Sequence, residues 1–447
     1  MTKMIAGYAS DTATVHPCGK VAGTLEVPGD KSISHRVAML SGISSGISRV
    51  HGFLNSADCL GTLKAMEALG ATSHRSRDGG VIIHGTAGKL LEPAGALDMG
   101  NSGTGIRLLT GLLSGFDCEV TLTGDDSLCS RPMRRIEAPL TQMGARITLT
   151  GDKGTAPIRV QGGSLQAIDY EVPVASAQVK SAIMLAALFT EGTTRITEPA
   201  PTRDHTEKIF ATLELPMRVD GLTVEVDGLG SVATAVRARE WYIPGDISSA
   251  AFWLVAAAAN RRSSVTLKNV GLNPRRSAVL DVLQRMGARI KVSPSKHSEA
   301  RGEVVGDIRV SGAKLAGTVI GGEEIPNLID EIPILAVAGA LAEGETVIKD
   351  ARELRVKESD RIRTMCTNLA AMGVEVEEMD DGMRIGGGAT IRSGGTVDSF
   401  GDHRIAMSMA VLALFSDAPL TIRRVHCIET SYPGFWNHLN RLGGHVE

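Results

Sequence analysis

The segment DKSISHR, Asp30 to Arg36, packs a lysine, two serines, a histidine and an arginine behind a Pro-Gly pair. Ser32 and Arg36 stand four apart and share a face once the segment is helical, with Lys31 at its start. Such a set suits an anionic ligand, Arg forking onto oxygens and Lys acting as a movable point charge or proton carrier. A P-loop is excluded, because that pattern needs Gly directly before the Lys and Asp30 occupies the slot. His35 reads as a structural, hydrogen-bonding histidine. Similar chemistry recurs elsewhere. LRVKESDRI (Leu354 to Ile362) places Lys357 and Arg361 one turn apart with Glu358 between and Asp360 nearby. Taken alone, this pattern fits an anion site and a solvated helix laced with local ion pairs equally well. DSLCSRPMRR offers Arg131, with Cys129 read as an inert thiol for want of a nearby histidine; TRDHTEK offers Arg203.

These residues sit in a repeating frame. Six segments open with a small or acidic polar residue and run into an apolar helix: GDKSISHRVAML at Gly29, GNSGTGIRLLTGLL at Gly100 and ASAQVKSAIMLAAL at Ala175, then GDISSAAFWLVAAA at Gly245, DEIPILAVAGAL at Asp330 and GDHRIAMSMAVLAL at Gly401. The spacing of about 70 residues or more suits a compact α/β subdomain. In each copy a strand follows, then a polar turn and a second helix with an ending such as KAMEALGA, LQRMGA or LNRLGG. Strand-like stretches between them include SRVHGF, VIIHG, CEVTLTG, SVTLKNV and LTIRRV. Three copies lie on each side of RAREWYIPGD, Arg237 to Asp246, which reads as a loop. The expectation is two lobes: 28–242 holding the first three repeats, and 1–27 with 243–447 holding the rest.

Helix N-termini carry unpaired N–H groups and partial positive charge, so several of them pointing one way would form an anion site. Asp30 and Asp246 read as caps, while Asn101, Ser176 and Asp402 fit a cap or a place at the anion site. A cap does not account for Lys31 or Arg404, since cations in a first turn oppose the dipole. Their placement points to a ligand whose charge compensates.

With a net charge of −3, there is no electrostatic footprint for nucleic acid, and 3% aromatic residues leave little for stacking bases. Six scattered cysteines form no CxxC pair, which argues against zinc and disulfides and fits a reducing cytosol. The longest apolar run, Ala250 to Ala259, is half the roughly 20 residues of a membrane helix. The expectation is a soluble, cytoplasmic protein, without a membrane segment.

PGDKSISHR, GNSGTGIR, SAQVKSA, RVKESDR and GDHRIAM, in this order from about Gly19 to Leu442, closely resemble the 5-enolpyruvylshikimate-3-phosphate synthase family. SAQVKSA and GDDSLCSRPM look like its class II subgroup. The resemblance implies an α/β fold of two inverse lobes, each of three βαβαββ units, closing over the substrates. It implies reaction of shikimate 3-phosphate with phosphoenolpyruvate, no cofactor and no metal, and small-molecule partners only, the protein acting as a monomer. Shikimate 3-phosphate would fall to Lys31, Ser32, Arg36, Ser176, Ala177, Gln178, Arg203, Asp330 and Lys357; phosphoenolpyruvate, and the longer inhibitor glyphosate, to Lys31, Gly103, Arg131, Gln178, Arg361 and Arg404. Asp330 would take the proton of the attacking hydroxyl and Glu358 would serve the methylene carbon, while Lys31 assists the departing phosphate. The chain departs from class I at Thr430 (a Lys there), at Glu353 (an Asn) and at Leu108 (a Pro). The related UDP-N-acetylglucosamine enolpyruvyl transferases typically show GAKNA where this chain has GDKSI, and a loop Cys several residues before an Arg where Cys129 is only two before Arg131. A non-catalytic clamp of the same repeats would give no reason to set Asp330 and Glu358 beside cations.

Overall fold

A computed structural model describes residues 11–77, 79–230, 236–295, 302–392 and 395–447. The chain divides into two units, Pro28–Pro244 with Lys296–Val304, and Met1–Val27 with Gly245–Ser295 and Val305–Glu447. In the first lie helices α1 (Lys31–Ile43), α2 (Ala57–Ala68), α3 (Gly103–Leu113), α4 (Asp126–Cys129), α5 (Arg134–Gln142), α6 (Ala177–Ala187) and α7 (His205–Thr212). In the second lie α8 (Ile247–Ala258), α9 (Ala278–Arg285), α10 (Ile325–Leu328), α11 (Ile332–Leu341), α12 (Arg361–Ala371), α13 (His403–Ala413) and α14 (Phe435–Arg441).

All six openings start a helix, and local chemistry explains why. Asp30, Ser102, Ser176, Asp246 and Asp402 each accept a hydrogen bond from a backbone N–H two or three residues on, satisfying a donor the helix leaves unpaired. The cap of α3 is therefore Ser102 rather than Asn101, whose side chain is turned to Arg131 instead. Glu331 precedes α11 without capping it, and Pro333 sits in the first turn, where its missing N–H costs nothing.

In the 28–244 unit, α1, α3 and α6 pack on one another over a single apolar core. Thr104 meets Gln178 near the start of α3 and α6, and Phe116 meets Phe189 just beyond their ends, so the two helices run in the same direction. Their backbones approach closely: a methyl on Gly111 would lie 2.3 Å from the Ala182 carbonyl oxygen. The equivalent helices α8, α11 and α13 pack together in the other unit, where the Trp253 indole donates to the Tyr432 hydroxyl at 2.7 Å.

Among the described residues, six four-stranded sheets share one topology. In the second repeat, strand Leu97–Asp98 pairs parallel with Glu119–Thr123, which pairs antiparallel with Ile158–Gln161, itself antiparallel to Arg146–Leu149. Three sheets are completed by strands remote in sequence. Glu240–Tyr242 joins the first sheet, parallel to Ile47–His51. Ala22–Glu26 joins the fourth, parallel to Ser264–Gly271. Thr12–His16 joins the sixth, between Leu420–Arg423 and His445–Val446. The loop expected at Arg237 to Asp246 thus contains a strand. Only three residues long, with Trp241 alone facing the core, it is too short for alternation to reveal. Among the described residues, no helix is long and apolar enough to cross a membrane.

Candidate active site

In the 28–244 unit, the N-terminal ends of α1, α3 and α6 carry the polar residues. Lys31, the first residue of α1, places Nζ 2.5 Å from a carboxylate oxygen of buried Asp58. Part of the compensation expected from a ligand is therefore the protein's own. Arg36 is buried; its Nε donates to the Thr206 hydroxyl (2.6 Å), Nη1 to the Ser32 carbonyl (2.9 Å) and Nη2 to the Ser181 hydroxyl (2.7 Å). Burial pulls this guanidinium down to about 10, against the opposing pull of Glu207 and Asp30 and with the like charge of Arg203 adding to the fall. It stays charged at neutral pH, held by uncharged acceptors. Beneath it Lys180, fully buried, lies 2.7 Å from Glu198 and 2.6 Å from Glu207. His35 bonds Thr62 at 2.8 Å and faces Ser102 at 3.3 Å. Burial, then Lys31 and Arg36, hold its pKa well below the usual histidine value, so it is neutral and structural, as the sequence suggested.

A second group surrounds the start of α3. Arg131, buried, donates through Nη2 to the Asn101 side-chain oxygen (2.6 Å) and to Ser127 (3.1 Å). Arg107 donates through Nη1 to the Gln178 side-chain oxygen (2.7 Å) and through Nη2 to the Pro132 carbonyl (3.1 Å). Gln178 in turn donates to Thr104 (3.0 Å). Between the guanidinium groups sits Gly103, where a Cβ would lie 3.0 Å from Arg107 Nη1 and 3.1 Å from Arg131 Nη1. Ser176 and Ala177 form the capped start of α6, and Cys129, half-buried, faces the Gly124 carbonyl.

In the 245–447 unit, Glu331 lies where α8, α11 and α13 begin. Fully buried, it accepts from the Ser248 hydroxyl and lies 3.6 Å from Arg276 and 3.7 Å from Arg404. Arg404 also donates to the Asp330 carbonyl (2.7 Å) and sits 3.6 Å from its carboxylate. A second guanidinium, that of Arg361, is 1% exposed and gathers three carboxylates: Asp402 (2.8 Å), Glu358 (2.6 Å) and Asp330 (3.4 Å). Burial alone would lower its basicity, but these three carboxylates raise it above the ordinary value. Lys357 lies 3.6 Å from Glu353, and burial pushes its ammonium below the usual lysine value.

The surface-helix reading of LRVKESDRI does not hold. Asp360 caps α12 and Arg361 is its first residue, so Lys357 and Glu358 precede the helix. The structure groups Lys31, Ser32 and Arg36, with Arg203 close enough to be felt electrostatically; it groups Gly103, Arg131 and Gln178; and it groups Asp330, Glu358, Arg361 and Arg404. Lys357 feels Asp330, Glu358 and Arg361. Thr430 donates to the Cys427 carbonyl and faces His403. Arg107, Glu331, Arg276 and Asp58 were not singled out by sequence. Arg107 offered a signal: it is a cation inside an otherwise apolar helix face. The others offered none.

A family model described as EPSP synthase (3-phosphoshikimate 1-carboxyvinyltransferase) matches residues 15–439. Relatives named 3-phosphoshikimate 1-carboxyvinyltransferase include that of Akkermansia muciniphila, 52% identical over 94% of this chain and 97% of the relative. That of Halorhodospira halophila is 49% identical over 97% and 96%. The solved EPSP synthase of Acinetobacter baumannii is 42% identical, covers 98% of this chain and 99% of its own, and superposes with a TM-score of 0.84. The enolpyruvyl transferase NikO from Streptomyces tendae, 18% identical with a TM-score of 0.80 over 98% of each chain, shares the fold. The α/β fold with three βαβαββ repeats in each unit is thus the one these transferases have, and the chain belongs to the EPSP synthase (3-phosphoshikimate 1-carboxyvinyltransferase) family.

Proposed function

We propose that this protein transfers the enolpyruvyl group of phosphoenolpyruvate to the 5-hydroxyl of shikimate 3-phosphate, releasing phosphate, in the shikimate pathway of aromatic amino acid biosynthesis. The observation that carries the reading is the pair Asp330 and Glu358, brought onto one buried guanidinium, Arg361. Two carboxylates fixed this way suit an addition–elimination that must take a proton from one atom and give one to another. Asp330 removes the hydroxyl proton as the oxygen attacks C2 of phosphoenolpyruvate, and Glu358 protonates the methylene carbon. In the second step Glu358 retrieves a proton from the resulting methyl as phosphate departs, assisted by Lys31. Arg131, Arg361, Arg404, Lys31 and Gln178, with the bare backbone at Gly103, take phosphoenolpyruvate; Lys31, Ser32, Arg36, Ser176, Ala177, Gln178, Arg203, Asp330 and Lys357 take shikimate 3-phosphate. The substrates are both strongly anionic, so their charges must be neutralised before the carbons meet, and preorganised guanidinium groups do this without reorganising. The lobes are 28–242 and 1–27 with 243–447. Free cysteines throughout support a cytoplasmic setting.

Phosphate release from phosphoenolpyruvate should depend strictly on shikimate 3-phosphate and continue in excess chelator. Turnover on UDP-N-acetylglucosamine, or loss of turnover in chelator, would overturn this reading.

A further inference from the structure

We propose that His16, His445 and Glu447 form a binding site for one divalent transition-metal ion on the solvent face of the sixth sheet. The register dictates the grouping. His16 and His445 are direct cross-strand partners, so their side chains rise on the same face. Glu447 follows His445 by two residues and shares that face, while Val15 and Val446 point into the core. One oxygen of Glu447 lies 3.3 Å from Nε2 of His16 and 3.1 Å from Nε2 of His445. The three ligand atoms all lie within 4.8 Å of one another. A tetrahedral ion with bonds of about 2.0–2.1 Å has ligand–ligand edges of about 3.3–3.4 Å, so the two nitrogen–oxygen edges are already near the required length.

A second observation points the same way. Nε2 of His16 is shielded from solvent yet makes no hydrogen bond. A shielded imidazole nitrogen set beside a carboxylate oxygen without a hydrogen bond between them suits a cation placed among the three. Two imidazoles and one carboxylate select zinc and its neighbours over magnesium or calcium, and the fourth position is left to water. Such an ion would join the strand Thr12–His16 to the two-residue edge strand His445–Val446, whose neighbour Glu447 pairs with Thr14 through backbone bonds of 2.8 and 2.9 Å. Bound metal would therefore stabilise the closure of this sheet by mass action.

Equilibrium dialysis against zinc tests the site, with His16→Gln, His445→Gln and Glu447→Gln compared with the parent protein. Cys18→Ser serves as the control, since Cys18 is the nearest thiol in sequence to His16. The expected result is one zinc per chain, affinity lowered at least tenfold in each of the three variants and unchanged in Cys18→Ser. Cobalt should give the visible absorption of a four-coordinate ion in the parent and not in His445→Gln. Zinc should raise the unfolding temperature of the parent and of Cys18→Ser, and not that of the three site variants. All three side chains lie on the outer face of the sheet, and zinc-free unfolding curves that overlay the parent's establish that the variants fold. No zinc taken up at micromolar concentration, equal uptake by both histidine variants, or loss in Cys18→Ser alone would each overturn the assignment.

Discussion

Replacing Gly103 with alanine tests the phosphoenolpyruvate assignment with one methyl group. Gly103 is the first residue of α3 and does not need a left-handed backbone, so alanine can adopt its conformation. The cost lies in space. The new methyl would stand 3.0 Å from Arg107 Nη1 and 3.1 Å from Arg131 Nη1, a few tenths of an ångström too close to both. Each arginine is buried and tied, Arg131 to Asn101 and Arg107 to Gln178, so neither swings away freely. Displacing Arg107 would also drag Gln178, which joins the effect to the start of α6. Overpacking of this size costs about 1–3 kcal/mol. Falling on binding, it lowers affinity roughly 5- to 150-fold, at about 1.4 kcal/mol per factor of ten. Steady-state kinetics should show a raised KM for phosphoenolpyruvate with a smaller change in kcat, while the unfolding midpoint barely moves. Glyphosate, longer than the substrate, should lose more affinity than phosphoenolpyruvate, leaving the variant resistant. Equal inhibition of parent and variant would refute the placement of Gly103 against this ligand.

Asp330→Ala should lower kcat by about two to four orders of magnitude, the usual share of acid–base catalysis, with a far smaller loss of shikimate 3-phosphate binding. Arg361 keeps Asp402 and Glu358, and Arg404 keeps the backbone carbonyl of residue 330, so a rate near the parent's would remove Asp330 from the catalytic set. Glu358→Gln should reduce kcat comparably and suppress deuterium exchange into the methylene of phosphoenolpyruvate; undiminished exchange would clear Glu358 of that role. His35→Gln should flatten the acid limb of stability. The folded value of His35 is depressed, so below about pH 6.5 the unfolded chain binds the extra proton and stability falls with pH, by at most about 1.4 kcal/mol per unit. Urea midpoints measured from pH 7 to 4.5 should fall less steeply in the variant, and parallel slopes would contradict a buried neutral imidazole.

The helices were legible because their signals are local. Asp30, Ser176, Asp246 and Asp402 stand where a cap must stand, ahead of apolar runs long enough to be buried. Strands that follow a first helix were legible for the same reason. Glu240–Tyr242, Ala22–Glu26 and Thr12–His16 were not, since they are three to five residues long and take partners from far along the chain. Composition offers no trace of such pairing. Candidate cations in the site stood out by violating a local rule, sitting in first turns where the dipole disfavours them. The acids that answer them, Asp58 and Glu331, come from other elements and look like ordinary surface carboxylates until the fold buries them.

The buried acids also show how one repeat yields two kinds of chemistry. In the 28–244 unit, Arg36 donates to two hydroxyls and a backbone carbonyl. Guanidinium groups solvated in this way keep much of their field for an incoming anion. The 245–447 unit reverses the balance. Glu331 sits where three helices begin, and Arg361 is met by three carboxylates. An arginine so engaged has less field to spare for a ligand, but it holds Asp330 and Glu358 in place. On the proposed assignment, Arg361 and Arg404 would act on phosphoenolpyruvate and on the acids together. Weakening either guanidinium should therefore disturb proton transfer as well as binding, whereas weakening Arg36 should disturb binding alone.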